Sequence, residues 1–185
     1  MSTPRVGPMR TKIDLQRAAA GEVGDQFRHA MRRVASTVCV VTASDGARRH
    51  GMTVTAVTSV SMGPPTLLIC INRTCTLHEL LLSAKQFCVN VLGSGQKEIA
   101  AAFSGGMPPA ERFADGNWIW REDGVGQLRQ AQAVIVCRKE AMLPYVSHTV
   151  FLGTVEEVHL AETADPLIYC AGSYNSLATI DGPQT

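Results

Sequence analysis

The sequence predicts a mostly β protein, an antiparallel barrel with short helices at its ends, and three observations carry that prediction. At least seven runs read as strands against three short helical ones. The helices do not alternate regularly with the strands, as they would in a doubly wound parallel sheet. The chain has 185 residues, 45% of them apolar and 18% charged, which is enough for one domain with a core and fits neither disorder nor a membrane channel.

Residues 1–24 show no hydrophobic period and mix Pro, Gly, Ala and Arg, so they read as an arm ahead of a barrel domain over 25–177, with 178–185 as a tail. Asp25 is a good N-cap for a helix with Phe27, Ala30, Met31 and Val34 on one face, ending near Ser36. Val38–Ala43 is a β-branched strand closed by the turn Ser44-Asp45-Gly46. Thr53–Ser61 reads as one strand with small hydroxyl side chains, closed by Gly63-Pro64-Pro65. Thr66–Asn72 is nearly all apolar, as a strand buried on both faces would be.

Thr76-Leu77-His78-Glu79 has the form of a capping box, with Leu77, Leu80 and Leu81 as the apolar face of the helix behind it. Phe87–Leu92 is a further strand, and Ser94 can cap a helix through Gln96–Phe103. Ser104 to about Leu128 is a long polar loop holding both tryptophans. Val134–Cys137, Val150–Val158 and Leu167–Tyr169 complete the strands, and no internal repeat is present.

Composition excludes several functions. Lys plus Arg is 17 against 16 Asp plus Glu, a net charge of +1, far from the basic excess that holds nucleic acid. No apolar stretch approaches the ~18 residues that span a bilayer, and the arm with Arg5, Arg10, Lys12 and Arg17 lacks the apolar block of a secretory signal. A cytoplasmic protein without a membrane partner is expected. Cys39, Cys70, Cys75, Cys88, Cys137 and Cys170 then read as free thiols, mostly buried. Cys70, Cys75 and His78 lack the paired spacing of a zinc site, so no metal is expected. Phosphate-loop, Gly-x-Gly-x-x-Gly and nucleophile-elbow motifs are all missing, and Cys75 with His78 lacks a third group to orient a thiol–base pair.

Two segments together suit a planar anionic ligand. Thr53, Thr55, Ser59 and Ser61 would let a flat ring approach the backbone, and Asn72-Arg73-Thr74-Cys75-Thr76 leads into a helix start where N–H groups and Arg73 can hold a phosphate. The same residues also suit an ordinary strand and an exposed turn charge.

Gly51-Met52-Thr53-Val54-Thr55-Ala56-Val57-Thr58-Ser59-Val60-Ser61, then Pro64-Pro65 and Leu67-Leu68-Ile69-Cys70-Ile71-Asn72, resembles the flavin reductase family with the FMN-binding split-barrel fold. Phe87–Leu92, Gln96, Ala102-Phe103, Glu111-Arg112-Phe113, His148–Gly153 and Pro166–Tyr169 continue the resemblance in the same order, from about Phe27 to Tyr174. It is nearest to the small reductase components of two-component aromatic monooxygenases of the 4-hydroxyphenylacetate type. It implies hydride transfer from NADH, or NADPH, to FMN or FAD, a separate oxygenase receiving the reduced flavin, and a homodimer.

By the same resemblance the isoalloxazine lies along Met52, Thr53, Val54, Thr55 and Ala56 and along Ser59, Val60 and Ser61. The ribityl phosphate meets Cys70, Ile71 and Asn72 and then Cys75, Thr76 and Leu77. Phe103 flanks the flavin, His148 is the catalytic residue near the nicotinamide, and Tyr174 is an aromatic of the same pocket. Two departures stand out. Val146-Ser147 replaces the Gly-Asp that many members carry before this histidine, and Cys170-Ala171-Gly172-Ser173 replaces one or two arginines. With no clear arginine for an extra phosphate, NADH is favoured over NADPH. A flavin-binding electron carrier, or a flavin-dependent reductase of a metal or corrinoid acceptor, would suit the same barrel.

Overall fold

The computed structural model describes residues 20–114 and 116–178; residues 1–19 of the expected arm and 179–185 of the expected tail lie outside them. The chain forms two compact units, one up to Val34 and one from Ala35 onward. The first carries helix α1 (Ala20–Met31). Asp25 therefore lies inside a helix that it was expected to cap, and its carboxylate accepts a bond from Arg28 at 2.7 Å. Ala20 and Glu22 favour helix ahead of it, and Glu22 in the first turn with Arg28 and His29 in the last complement the helix dipole.

The second unit is a mostly antiparallel split barrel. Its strands are β1 (Ser36–Thr37), β2 (Cys39–Ser44), β3 (Arg49–Val54), β4 (Val57–Met62), β5 (Pro65–Asn72), β6 (Gln86–Val91), β7 (Trp118–Trp120), β8 (Gly126–Leu128), β9 (Ala133–Tyr145), β10 (His148–Leu160), β11 (Ile168–Cys170) and β12 (Ser173–Asn175). Helix α2 (Thr76–Ser83) links β5 to β6, and α3 (Lys97–Ala101) follows β6. A seven-stranded sheet runs β3-β2-β6-β9-β10-β5-β4, with β1-β11-β12 and β7-β8 as smaller sheets. The two edges of the large sheet, β3 and β4, are consecutive in the chain but pair only with β2 and β5. This unpaired seam is the split.

Thr53–Ser61 is consequently two strands, contrary to the single strand expected. Thr55 O accepts the Val57 N–H at 3.0 Å, and Ala56 O accepts the Cys70 N–H at 3.0 Å, so a tight turn hands the segment from one sheet edge to the other. β5 is not buried on both faces either. Leu67, Ile69 and Ile71 are buried while Leu68, Cys70 and Asn72 are half-buried, the alternation of a strand with one face on a core.

The inner core gathers Val41, Ala43, Val54, Ile69, Ile71, Leu77, Phe87, Val89 and Phe151. A second core on the outer face of β2 and β6 holds Val40, Cys88, Leu92, Phe103, Trp118, Leu128 and Val136. Buried Asn90 fastens the β7–β8 hairpin there: its amide donates to Val40 O at 3.1 Å, and its Oδ1 accepts the Leu128 N–H at 2.7 Å. All six cysteines are free, and burial pushes the thiols of Cys39 and Cys137 up to about 12.

His78 does not face a catalytic thiol. It is buried, 2.9 Å from Thr149 Oγ1 through Nε2 and edge-on to Phe151. Burial, reinforced by nearby Arg73, holds its pKa below the usual histidine value, and burial with Arg112 does the same for His50. Both rings are neutral in the native state where the unfolded chain already takes up protons. Stability contributed by these groups is present above the unfolded value of about 6.5 and is lost as pH falls through and below it. Urea unfolding is therefore expected to give a lower stability at pH 5.5 than at pH 7.5, with the difference reduced in His78→Asn. An equal or higher stability at pH 5.5 would refute this.

Candidate functional site

A cleft of about 360 Å³ opens between β3, the start of α2 and the chain after α3. Met52, Thr53, Cys75, Thr76 and Phe103 line it, with His50, Thr74, Ser104, Gly105, Pro109 and Arg112 on its remaining sides. Helix α3 passes directly into a π-turn at Ala102–Gly106, which Gly105 ends at φ +113°. Phe103 lies on that turn and packs against Phe113 and Trp118 with ring centroids 5.0 and 5.1 Å apart. Thr53 fastens α3, just ahead of the turn, to β3 by donating from Oγ1 to Ala100 O at 2.7 Å.

At the start of α2 the expected capping box is missing. Cys75, not a Ser or Thr, occupies the N-cap, with no side-chain cap bond, and its thiol donates to Asn72 O at 3.1 Å. The His78 N–H donates to Cys75 O at 3.0 Å, while those of Thr76 and Leu77 lack intrahelical acceptors by helix geometry, so the cleft meets the positive end of the helix dipole. Asn72 keeps this entry in shape, because its Oδ1 accepts from both the N–H and the hydroxyl of Thr74 at 3.0 Å. Ser94, likewise, is not the side-chain cap expected: its hydroxyl bonds Asp165, and Gln96 Oε1 accepts the Gly93 N–H at 2.9 Å.

The other expected site residues lie in several places. Val54, Ile71 and Leu77 point into the inner core and can offer only backbone atoms. Thr55, Ala56, Ser59 and Val60 are exposed along the seam, where β3 and β4 leave backbone groups unpaired; Ser61 Oγ accepts the Gly63 N–H at 3.1 Å. Cys70 is half-buried on β5. His148 stands opposite Asn72 in the β5–β10 register, exposed, with Nδ1 2.9 Å from Ser147 Oγ. The serine thus supplies the ring with a hydroxyl partner, and Val146 completes the β9–β10 turn at φ +47°, a strained conformation for a β-branched residue.

Tyr174 is not brought to the cleft. It sits on β12, edge-on to Tyr169 at 5.5 Å, beside Ser94, Lys97 and Leu167. Arg73 does not line the cleft: its guanidinium donates to Val146 O at 3.2 Å and its N–H to Ser147 O at 2.9 Å. Sequence reasoning missed His50 and Arg112. His50 follows two arginines in a stretch that read as loop but begins β3, and Arg112 was noticed only as part of a motif. Arg112 donates to Met107 O at 3.0 Å and lies 3.4 Å from Gly51 O, which holds its guanidinium at the cleft.

A split antiparallel barrel with a donor-rich cleft beside its edge strand β3 defines the class. The chain belongs to the flavin reductase like domain family, whose model matches residues 31–178. It is 49% identical over 162 residues to the reductase component of an FADH2-dependent resorcinol hydroxylase of Rhizobium sp., covering 86% of this chain and 90% of that one. An FMN reductase (NADH) of Methylorubrum extorquens is 40% identical over 151 residues, 82% of this chain and 75% of the relative. Among solved structures, the NADH:FAD oxidoreductase SgcE6 of Streptomyces globisporus superposes with a TM-score of 0.79 at 29% identity, over 85% of this chain and 94% of that one.

Proposed function

We propose that this chain is an NADH-dependent flavin reductase that transfers hydride to FMN or FAD and supplies reduced flavin to a separate oxygenase. The observation that carries the reading is the cleft beside β3, where a strand edge, a helix N-terminus and Arg112 face one space within a flavin reductase barrel. The residues fit such a ligand. The lining contains no carboxylate, so a phosphate ester meets donors and a guanidinium, and the seam offers backbone groups to the polar edge of a ring. Bound flavin supplies the hydride-accepting chemistry; the protein supplies position and charge.

Met52 and Thr53 bring β3 to the ring, with Val54–Ala56 and Ser59–Ser61 continuing along the seam beyond the cleft; Thr76 and Leu77 bring helix N–H groups to the phosphate beside Cys75, and Phe103 walls the cleft against Phe113 and Trp118. His148, held by Ser147 opposite Asn72, orients the nicotinamide in this reading. His148→Ala is expected to slow flavin reduction about ten- to hundredfold while flavin affinity changes by only a few fold. Stopped-flow reduction alongside equilibrium flavin binding checks this, and loss of binding with normal reduction would reverse the assignment.

The apolar tip of the β9–β10 hairpin, with Leu143, Tyr145 and Val146 exposed, supports a homodimer, to be read by light scattering. No helix among the described residues is long and apolar enough to cross a membrane, which is compatible with a cytoplasmic enzyme. The deciding experiment mixes protein, NADH and FMN under nitrogen and follows loss of the flavin band near ~450 nm, a property of the flavin itself. Rapid bleaching supports the reductase. Bound flavin that stays oxidised with NADH and with NADPH would make the chain a carrier instead.

A further inference from the structure

Tyr145 pairs with His148, so Val146 and Ser147 alone close the β9–β10 hairpin. Val146 takes φ +47° at the first of these two positions, where glycine or asparagine is the ordinary occupant and a β-branched residue is strained. Packing within the chain does not hold the turn in that shape. Tyr145 and Val146 are 75% and 77% exposed, and the pairing of β6 with β9 ends at Gln86 and Arg138. What grips the turn is Arg73, the first residue after β5. Its N–H donates to Ser147 O at 2.9 Å and its guanidinium to Val146 O at 3.2 Å, so the carbonyls of both loop residues end on one side of the hairpin. Strained backbone persists only where its surroundings over-determine it, and such places cluster at functional sites.

The turn leads directly into His148. Ser147 Oγ stands 2.9 Å from His148 Nδ1, and His148 lies opposite Asn72, whose side chain and carbonyl shape the entry to α2 through Thr74 and Cys75. We infer that Arg73 is a positioning residue: by holding the carbonyls of Val146 and Ser147 it keeps the strained turn in the shape that sets Ser147 against the His148 ring, and so fixes that ring for hydride transfer. This rests on the role of His148 proposed above and goes beyond it by naming what orients the imidazole from outside its own hairpin. The Arg73 N–H would survive any substitution, so the share of the side chain is the charge-assisted bond to Val146 O, made at the strained residue itself. Without that bond Val146 relaxes toward negative φ, and Ser147, the next residue, turns away from the ring.

The test reads single-turnover reduction of bound FMN by NADH under nitrogen in the full chain, with FMN and riboflavin affinities measured alongside by flavin fluorescence. Arg73→Met is expected to fold, since the side chain is exposed, and to slow reduction about tenfold while each flavin affinity stays within about twofold. Arg73→Lys, which keeps a charged donor, is expected to recover most of the rate. Two double variants locate the effect. In Val146→Gly, where positive φ costs little, and in His148→Ala, where no ring is left to place, adding Arg73→Met is expected to slow reduction by less than about twofold. A full tenfold loss on either background overturns the inference, and so does an unchanged rate in Arg73→Met alone. FMN affinity that falls while riboflavin affinity holds would make Arg73 a phosphate ligand and equally overturn it. If NADH does not reduce the flavin bound to the wild type, the proposed function falls together with the inference; if the wild type is reduced normally and Arg73→Met just as fast, the inference falls alone.

Discussion

Gly153→Val is expected to leave little folded protein at 37 °C and to lower stability by about 3–4 kcal/mol, a large part of what a domain of this size has to lose. Gly153 lies on β10, opposite Leu67 on β5 and Lys139 on β9, next to an irregularity in the β9–β10 register. A Cβ there would come 2.6 Å from Cζ and 2.7 Å from Cε1 of Phe87, and 2.8 Å from Cβ of Cys137. Neither neighbour can retreat. Phe87 and Cys137 are fully buried in the inner core and face each other across the β6–β9 pair, so yielding to a new side chain means parting strands. Urea unfolding of Gly153→Ala, the milder change, checks the argument: a shift of about 2 kcal/mol is expected, smaller when Phe87→Leu is added to make room. Strict additivity of the two substitutions would refute the contact as the cause.

The barrel was legible in the sequence because its strands announce themselves by composition, and the places where the reading broke have physical reasons. β9 was expected to stop at Cys137 because Arg138, Lys139 and Glu140 follow, yet the strand runs on to Tyr145. Those charges are tolerated because each finds a partner: Arg138 pairs with Glu156 and Glu140, and the Lys139 ammonium bonds the last carbonyls of α2, Leu81 O at 2.6 Å and Leu82 O at 2.9 Å. The β7–β8 hairpin was hidden inside a polar loop, since two three-residue strands carry no period; it is tertiary bonding from Asn90, and from Thr42 Oγ1 to Gly126 O at 2.6 Å, that makes it. β12 was missed although Ala171-Gly172, both at positive φ, form the two-residue turn that joins it to β11.

The site was legible in part for a related reason. Residues on one continuous segment, such as Met52 and Thr53 or Cys75 and Thr76, could be assigned together because the chain itself keeps them together. Arg112 reaches the cleft only because the turn after α3 folds back over β3, and nothing local in the sequence reports that return. Tyr174 fails in the opposite sense: it is near in the motif order, but the β11–β12 hairpin carries it to another surface.

Gly51→Ala is expected to weaken flavin binding at least about tenfold and to cost roughly 1–3 kcal/mol of stability, because it acts where the wall of the cleft meets the sheet. A Cβ at Gly51 would stand 2.6 Å from Cε1 and 2.9 Å from Cδ1 of Phe103, and 3.2 Å from Cζ of Phe113. The Phe103 ring has no free side to move to. Phe113 and Trp118 hold it edge-on and tilted, and Trp120 continues the stack beyond Phe113 at 4.9 Å. The remaining direction is the cleft itself, so the new methyl group either drives the ring into the ligand's space or pulls the π-turn off β3, breaking the Thr53 bond to Ala100 O. Both routes reduce flavin affinity, and a second substitution separates them. If the ring is the obstruction, Gly51→Ala combined with Phe103→Leu binds FMN more tightly than Gly51→Ala alone. If the turn has moved, the smaller side chain rescues nothing, and amide exchange around residues 100–106 rises instead. Wild-type affinity in Gly51→Ala would contradict the close packing of Phe103 on β3 and with it the shape of the cleft.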